Sequence, residues 1–349
     1  CGESTYGEVQ DFEVVIVEPG HATETFYKGG KGTAEQPYLI STCQDMIDLS
    51  KQNFHWNKCF KLTGDIDFSN PQENFAKIGN EKFAFTGVFD GNDHSIINFS
   101  YGTSDDNYNA HQFGLFGIVQ APAVIKNLTV ENSDVNSLSG TAIGLIAGML
   151  KNGSTISNCS VINSEVAGLY AVGSIAGGTS GDITSCCSDA TVLGHGSVGG
   201  LVGRTGGNGS ITESYTKGQV IAVKLKDYQP GLISPLKTIS AGGFAGDVYG
   251  GSIQNCYSHS NVISENYGSG FCNYLKYADA VDKSYSTGEV SGSHKSGFVR
   301  SSPTYSNTCY WDITTSTVAD SAIGTGCDTN QMYLKNNFND WDFNNIWQI

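Results

Sequence analysis

A short glycine-bounded element recurs along most of this chain, and no other feature restricts its fold as strongly. It reads Gly114-Leu115-Phe116-Gly117, then Gly144-Leu145-Ile146-Ala147-Gly148, Gly173-Ser174-Ile175-Ala176-Gly177, Gly199-Gly200-Leu201-Val202-Gly203 and Gly242-Gly243-Phe244-Ala245-Gly246. Degenerate copies follow at Ser269-Gly270-Phe271 and Ser296-Gly297-Phe298. Anchored on Gly114, Gly144, Gly173, Gly200, Gly243, Gly270 and Gly297, the steps are 30, 29, 27, 43, 27 and 27 residues. The long step holds Lys224 to Lys237, with Pro230 and Pro235, and reads as an insertion looping out of one unit. A repeat of this length is one structural unit that buries its apolar face only by stacking on its neighbours.

A second column keeps the same register. Ile156-Ser157-Asn158-Cys159, Ile183-Thr184-Ser185-Cys186, Ile211-Thr212-Glu213-Ser214, Ile253-Gln254-Asn255-Cys256 and Val281-Asp282-Lys283-Ser284 each follow an anchor, and a last copy ends at Cys309. Val161, Val192, Val220, Val262 and Val290 mark a third β-prone run. Three short runs per unit, punctuated by Gly, Asn and Ser, describe an all-β chain wound as a right-handed parallel β-helix, with equivalent strands about 4.8 Å apart. A β-propeller needs blades of about 40 to 45 residues, and a leucine-rich solenoid needs regularly spaced Leu. Neither fits.

These motifs resemble the GLUG repeat of secreted and surface-attached bacterial proteins, among them non-catalytic regions of some immunoglobulin A proteases and adhesin-like proteins. The resemblance rests on Gly199-Gly200-Leu201-Val202-Gly203 followed by a strand and Ser-Tyr or Asn-Cys-Tyr. Gly32 to Ile40, Phe60 to Asp67 and Phe85 to Asn92 resemble what precedes such repeats, and Cys309-Tyr310-Trp311-Asp312 with Trp341 to Trp347 resembles what ends them. The chain departs from that pattern at Asp93, where Gly is usual, and in its last two copies, which lack the second motif glycine. The resemblance implies a fold and a surface setting; it implies no activity, because repeats of this kind serve different tasks.

The organisation read from these signals is an extension or tether over 1–30, an N-terminal cap with the first coils over 31–110, the repeat β-helix over 111–310 and a C-terminal cap over 311–349. Residues Thr42 to Asn53 have the spacing of an amphipathic helix, with Thr42 as N-cap and Met46, Ile47 and Leu49 apolar, suited to cover an open end of the stack. Trp311, Trp341 and Trp347 are expected to close the other end by burial; the competing reading is that such aromatics stack on sugar. Cys1-Gly2 is what remains when a bacterial lipoprotein signal is removed and the cysteine acylated, or it is simply where the sequence begins.

The ten cysteines divide by position. Cys159, Cys186, Cys256 and Cys309 alternate with Ser214 and Ser284 in one repeat column, as small interior residues would. Cys43 and Cys59 are expected to form a disulfide in an oxidising compartment. No Cys or His spacing suits a metal.

Thirty-four acidic against 19 basic residues give a net charge of −15, and Arg204 and Arg300 are the only guanidinium groups. Nucleic acid is thereby excluded as a partner, and contact with a membrane is left to a lipid anchor at Cys1. Asp65, Asp67, Asp90, Asp93 and His94 form the densest titratable group, but they fall in the turns that recur before such repeats. His111, His195, His259 and His294 share no repeat position and read as exposed loop residues. No cofactor is required; Ca²⁺ bridged by Asp65 and Asp67 or by Asp105 and Asp106 is the alternative, without an EF-hand or nonapeptide pattern to support it. The reading is a non-enzymatic exported rod at a bacterial surface, adhesin-like or structural. Its partner is a glycan or a surface protein, met through loops such as Lys224 to Lys237 and Gly102 to Ala110. The alternatives are a carbohydrate-active enzyme of the polysaccharide lyase kind, a glycan-binding component, or an assembly subunit that pairs Phe12 to Val17 with a neighbour's sheet edge.

Overall fold

The computed structural model describes residues 27–102, 111–225, 238–276, 281–303, 306, 308–338 and 340–347. Cys1, the segment Phe12 to Val17, Asp105 with Asp106, and most of the two loops named above lie outside the described residues. The rest is a right-handed parallel β-helix of about eight turns. One face is a seven-stranded parallel sheet running from Phe116–Val119 through Ala147–Leu150, Ala176–Thr179, Val202–Thr205, Ala245–Val248 and Cys272–Leu275 to Val299–Ser301. The remaining faces run together as one sheet of 26 strands.

The full turns carry four or five strands rather than three: four from Asp182–Thr184 to Val202–Thr205, and five from Ser252–Gln254 to Cys272–Leu275. The extra corners come from residues in the left-handed region. Asn158, Ser185, Glu213, Asn255 and Lys283 have φ between 44° and 55° and form one corner column; Asn132 and Asn163 begin a second, and Gln112, Ala142, Ala171 and Ser197 form a third. Asn adopts this conformation at low cost, but Ala, Glu and Lys do not, so propensity alone does not reveal most of these bends.

After each residue of the first corner comes an inward Cys or Ser. The Cys159, Cys186 and Cys256 thiols and the Ser214 and Ser284 hydroxyls donate to the carbonyl two residues earlier, at 3.2, 3.3, 3.3, 2.8 and 2.8 Å. Ser133 and Ser164 do the same after Asn132 and Asn163, at 2.8 and 2.7 Å. The interior of the corner has room for one small donor, which pairs a carbonyl that the bend turns inward.

The interior is built of register-matched columns. Phe60, Phe89, Ile125, Ile156, Ile183, Ile211, Ile253 and Val281 follow one another up one face. Val135, Val166, Val192, Val220, Val262 and Val290 follow up another. All are 2% exposed or less, and burial of a side chain of this size contributes about 1.5–3 kcal/mol.

The strand register corrects the alignment of the repeat glycines by one residue. Gly173 stands opposite Gly199, not Gly200, and Gly199 opposite Gly242. Gly114, Gly144 and Gly173 therefore continue as Gly199, Gly242, Ser269 and Ser296. Gly200, Gly243, Gly270 and Gly297 are a different column, preceded by Ser174, whose amide donates to the Gly200 carbonyl. A side chain at Gly243 would run into the Gly270 carbonyl and the Ser258 hydroxyl, and one at Gly297 into the Trp311 indole. The residue after this column fills the space: Leu201, Phe244, Phe271 and Phe298 are each wholly buried.

Helix α1 (Cys43–Lys51) sits between the first two strands, Tyr38–Ile40 and Cys59–Leu62. Thr42 and Asp45 form a capping box, and Met46, Ile47 and Leu49 join the main core. At the other end Trp311 enters that same core, its indole N–H donating to the Val318 carbonyl at 3.0 Å, just before helix α2 (Ile313–Ser316). Trp341 and Trp347 do not close the end as expected. They belong to a separate cluster with Tyr310, Cys327 and Phe338, packed against the outward side chains of Tyr257 and Tyr285. The chain has folded back along the outside of the stack.

Candidate functional site

The carboxylates that looked most like catalytic groups build turns. Asp65 accepts from the Ser95 amide at 2.9 Å and lies 3.4 Å from the His94 ring. Asp67 accepts from Ser69 and Asn98, and these hydrogen bonds hold its carboxyl below the usual range. Asp90 accepts from the Asn92 amide and the Asn127 side chain and pairs with Lys126 at 3.3 Å. Among the described residues no three His, Cys, Asp or Glu side chains gather as a metal site.

Cys43 and Cys59 are free thiols, which corrects the expected disulfide. Strand alternation is the reason: Phe60 and Leu62 point inward, so Cys59 points outward, whereas Cys43 packs against the core. Burial raises the pKa of the Cys159, Cys256 and Cys309 thiols, Cys256 to about 12 and Cys309 to about 11. The histidines also need correction. His195 is buried at the bend between the strands Cys187–Gly194 and Gly196–Gly199, and His111 is half-buried in the strand His111–Phe113; His259 and His294 are exposed.

Among the described residues, the open concavities on the outside of the rod include three. One of about 530 Å³ follows the Asn132, Asn163, Ala190 and Gly218 corner. One of about 390 Å³ lies over the seven-stranded sheet, beside Tyr170, Arg204 and Tyr249. The third, about 410 Å³, lies between the repeat and the returning C-terminal segment and is lined by Glu213, Asn255, Tyr257, Tyr285, Asn345, Ile346 and Trp347.

The third is the best-built site. The residue after each corner Cys or Ser points outward, and in successive turns it is Cys187, Tyr215, Tyr257, Tyr285 and Tyr310, in direct register. The Tyr215 and Tyr257 rings are 4.8 Å apart and 1° from parallel; Tyr257 and Tyr285 are 5.1 Å and 8°. Burial, then the Cys187 thiol for Tyr215 and Tyr257 and neighbouring phenols for Tyr215 and Tyr285, raises the pKa of these three hydroxyls, Tyr215 to about 12, so they are neutral at ordinary pH. Trp347 stands across it, 5.6 Å from Tyr285 and 4.3 Å from Trp341. The Trp341 indole N–H donates to the Thr308 carbonyl at 2.9 Å. Among the described residues that of Trp347 has no acceptor, and the buried Oδ1 of Asn255 has no donor.

Sequence reasoning singled out Trp347 but missed the tyrosine ladder. Its signal is the position after each ladder Cys or Ser, legible once the corner rule is known. The fold-back that brings Trp347 to it has no periodic signature.

No family model matches the chain. Over 207 residues it is 32% identical to Halomucin of Haloquadratum walsbyi, covering 56% of this chain and 2% of that protein. Over 143 residues it is 30% identical to a "Putative Gly-rich membrane protein" of Evansella cellulosilytica, covering 36% of this chain and 16% of the other. The chain thus spans a small fraction of the length of the curated relatives it matches. Among solved structures, a "putative immunoglobulin A1 protease" from Bacteroides ovatus is similar over 88% of both chains, with a TM-score of 0.61 and 21% identity. That likeness is one of fold. No helix among the described residues is long and apolar enough to cross a membrane.

Proposed function

We propose that this chain is a non-enzymatic, surface-displayed or extracellular rod of GLUG-type repeats, adhesin-like or structural, which meets a glycan or a surface protein along its outer faces. The observation that carries the reading is the division of labour in the stack. The candidate catalytic carboxylates are engaged in forming corners, while open concavities lie on the outside between turns. A continuous stack of turns favours extended, shallow contact. The names of the two sequence relatives, a halomucin and a membrane protein, fit a cell-surface setting.

The test joins topology to turnover. Intact cells that produce the protein are treated with an external protease, and the purified chain is incubated with polygalacturonate and with immunoglobulin A1. Digestion on intact cells with no product from either substrate is expected. Turnover of either one overturns the non-enzymatic reading, and protection of the protein on intact, permeability-checked cells overturns the surface reading.

A further inference from the structure

We infer that the cleft between the tyrosine ladder and the C-terminal fold-back is a saccharide site for a neutral, hydroxyl-bearing sugar unit. The inference rests on the reading that the outer face of the rod is its binding surface. Its volume of about 410 Å³ lies within the roughly 300–1,000 Å³ typical of small-molecule sites.

The chemistry of the wall selects the ligand. Tyr257 is stacked between Tyr215 and Tyr285, so the ladder offers ring edges and phenol groups rather than open ring faces, and a phenol O–H both donates to and accepts from a hydroxyl. Trp347 lines the cleft and is 9% exposed, and its buried indole N–H has no acceptor among the described residues. Asn255 also lines it, from the corner column where φ is 55°, and its buried Oδ1 has no donor among them. A buried donor and a buried acceptor left open each carry a desolvation penalty that a bound group removes. A hydroxyl can both accept from Trp347 and donate to Asn255.

Other ligand classes leave one of these groups unmet. A carboxylate or phosphate could accept from Trp347, but the lining holds no cation and includes Glu213, so the anion meets repulsion and leaves Asn255 without a donor. An ammonium ligand suits Glu213 and the rings, yet supplies no acceptor to Trp347. A purely aromatic ligand satisfies neither polar atom. The site is also composite: four of its side chains, Glu213, Asn255, Tyr257 and Tyr285, come from the repeat corners and ladder of different turns, and Asn345, Ile346 and Trp347 come from the fold-back. A run of repeats alone would display the tyrosines but not the cleft.

The test uses the purified 349-residue chain and tryptophan fluorescence, confirmed by calorimetry. It is titrated with cellopentaose, mannopentaose, xylopentaose and N-acetylchitopentaose, and separately with trigalacturonate. Saturable binding of at least one neutral oligosaccharide is expected. Trp347→Phe keeps the ring and removes the donor, and is expected to weaken binding about fivefold to tenfold. Tyr285→Ala is expected to weaken it tenfold or more, while Tyr274→Ala, on another face, leaves it unchanged. Circular dichroism of each variant guards against loss of fold, and Trp347→Phe stays informative if Tyr285→Ala unfolds. Failure of all four neutral oligosaccharides to saturate, binding of trigalacturonate alone, or undiminished binding by Trp347→Phe overturns the inference. Such a failure leaves the surface reading standing, since external proteolysis tests that separately.

Discussion

Phe244 and Phe271 lie one above the other with ring centroids 4.8 Å apart and planes 1° from parallel, the spacing of adjacent strands carried into the side chains. Phe298 continues the stack at 4.6 Å. The stack occupies space left free by the glycine column beside it, so ring and glycine are two halves of one packing solution.

Truncating the middle ring should therefore be costly. Phe271→Ala removes contacts to the turns on both sides and is expected to destabilise the protein by about 3–5 kcal/mol. Urea unfolding followed by circular dichroism measures this. Because turns contact mainly their neighbours, the loss is expected to appear first as early unfolding of the C-terminal turns. A uniform loss below about 1 kcal/mol would contradict the packing described.

Glycines differ in what they permit. Gly243→Ala would press a methyl group against the Gly270 carbonyl and the Ser258 hydroxyl, whereas at Gly206 nothing lies within 4 Å of the added atom. The first substitution is expected to lower the melting temperature sharply. Gly206→Ala should be neutral or slightly stabilising, by up to about 1 kcal/mol, through the unfolded chain. Equal effects at the two positions would show that the close approach is not what requires glycine.

The corner thiols predict a chemical and a mutational result. Cys256 is wholly buried, with its pKa pushed up to about 12, and its thiol donates to the Gln254 carbonyl. It should resist alkylation by iodoacetamide in the native protein and react on unfolding. Cys256→Ser should be tolerated, as Ser214 and Ser284 hold the same position, whereas Cys256→Val loses the donor and should cost about 1–3 kcal/mol more. Rapid native alkylation, or equal stability of the two variants, would count against the corner rule.

Asp247 sets a pH dependence. It lies on the outer side of the seven-stranded sheet but is 7% exposed, and burial raises its carboxyl pKa. Hydrogen bonds from Ser197 and Asn273 and the charges of Arg204 and Arg300 oppose the rise. With its pKa raised above the unfolded value of 3.8, the fold binds this proton more tightly than the unfolded chain does. The resulting stabilisation is full below that value and is lost as pH rises through the folded pKa. Asp247→Asn removes the dependence, so the variant should gain on the wild type as pH rises from about 4 in urea titrations. A stability difference that does not change over that range would falsify the assignment.

The Ile column from Ile156 to Ile253 and the Cys and Ser column from Cys159 to Ser284 were legible because each recurs once per turn. Their vertical neighbours follow from the period alone. The glycine register was misread by one residue between Gly173 and Gly200, since Gly199-Gly200 offers two glycines where Gly173-Ser174 offers one, and only strand pairing chooses between them. The number of runs per turn was hidden for a related reason. Ala142, Ala171, Glu213 and Lys283 take left-handed conformations that tertiary packing imposes against their local preference.

The sequence by itself determined the winding, the period and the inward columns, because a solenoid core is written in contacts that repeat at a fixed separation. Tertiary structure alone decided that Cys43 and Cys59 stay apart, that His195 is interior, and that Trp341 and Trp347 return along the outer face to meet Tyr257 and Tyr285. Those placements depend on side-chain direction and on a single non-repeating segment that finds its partners in space. No periodicity encodes such a contact.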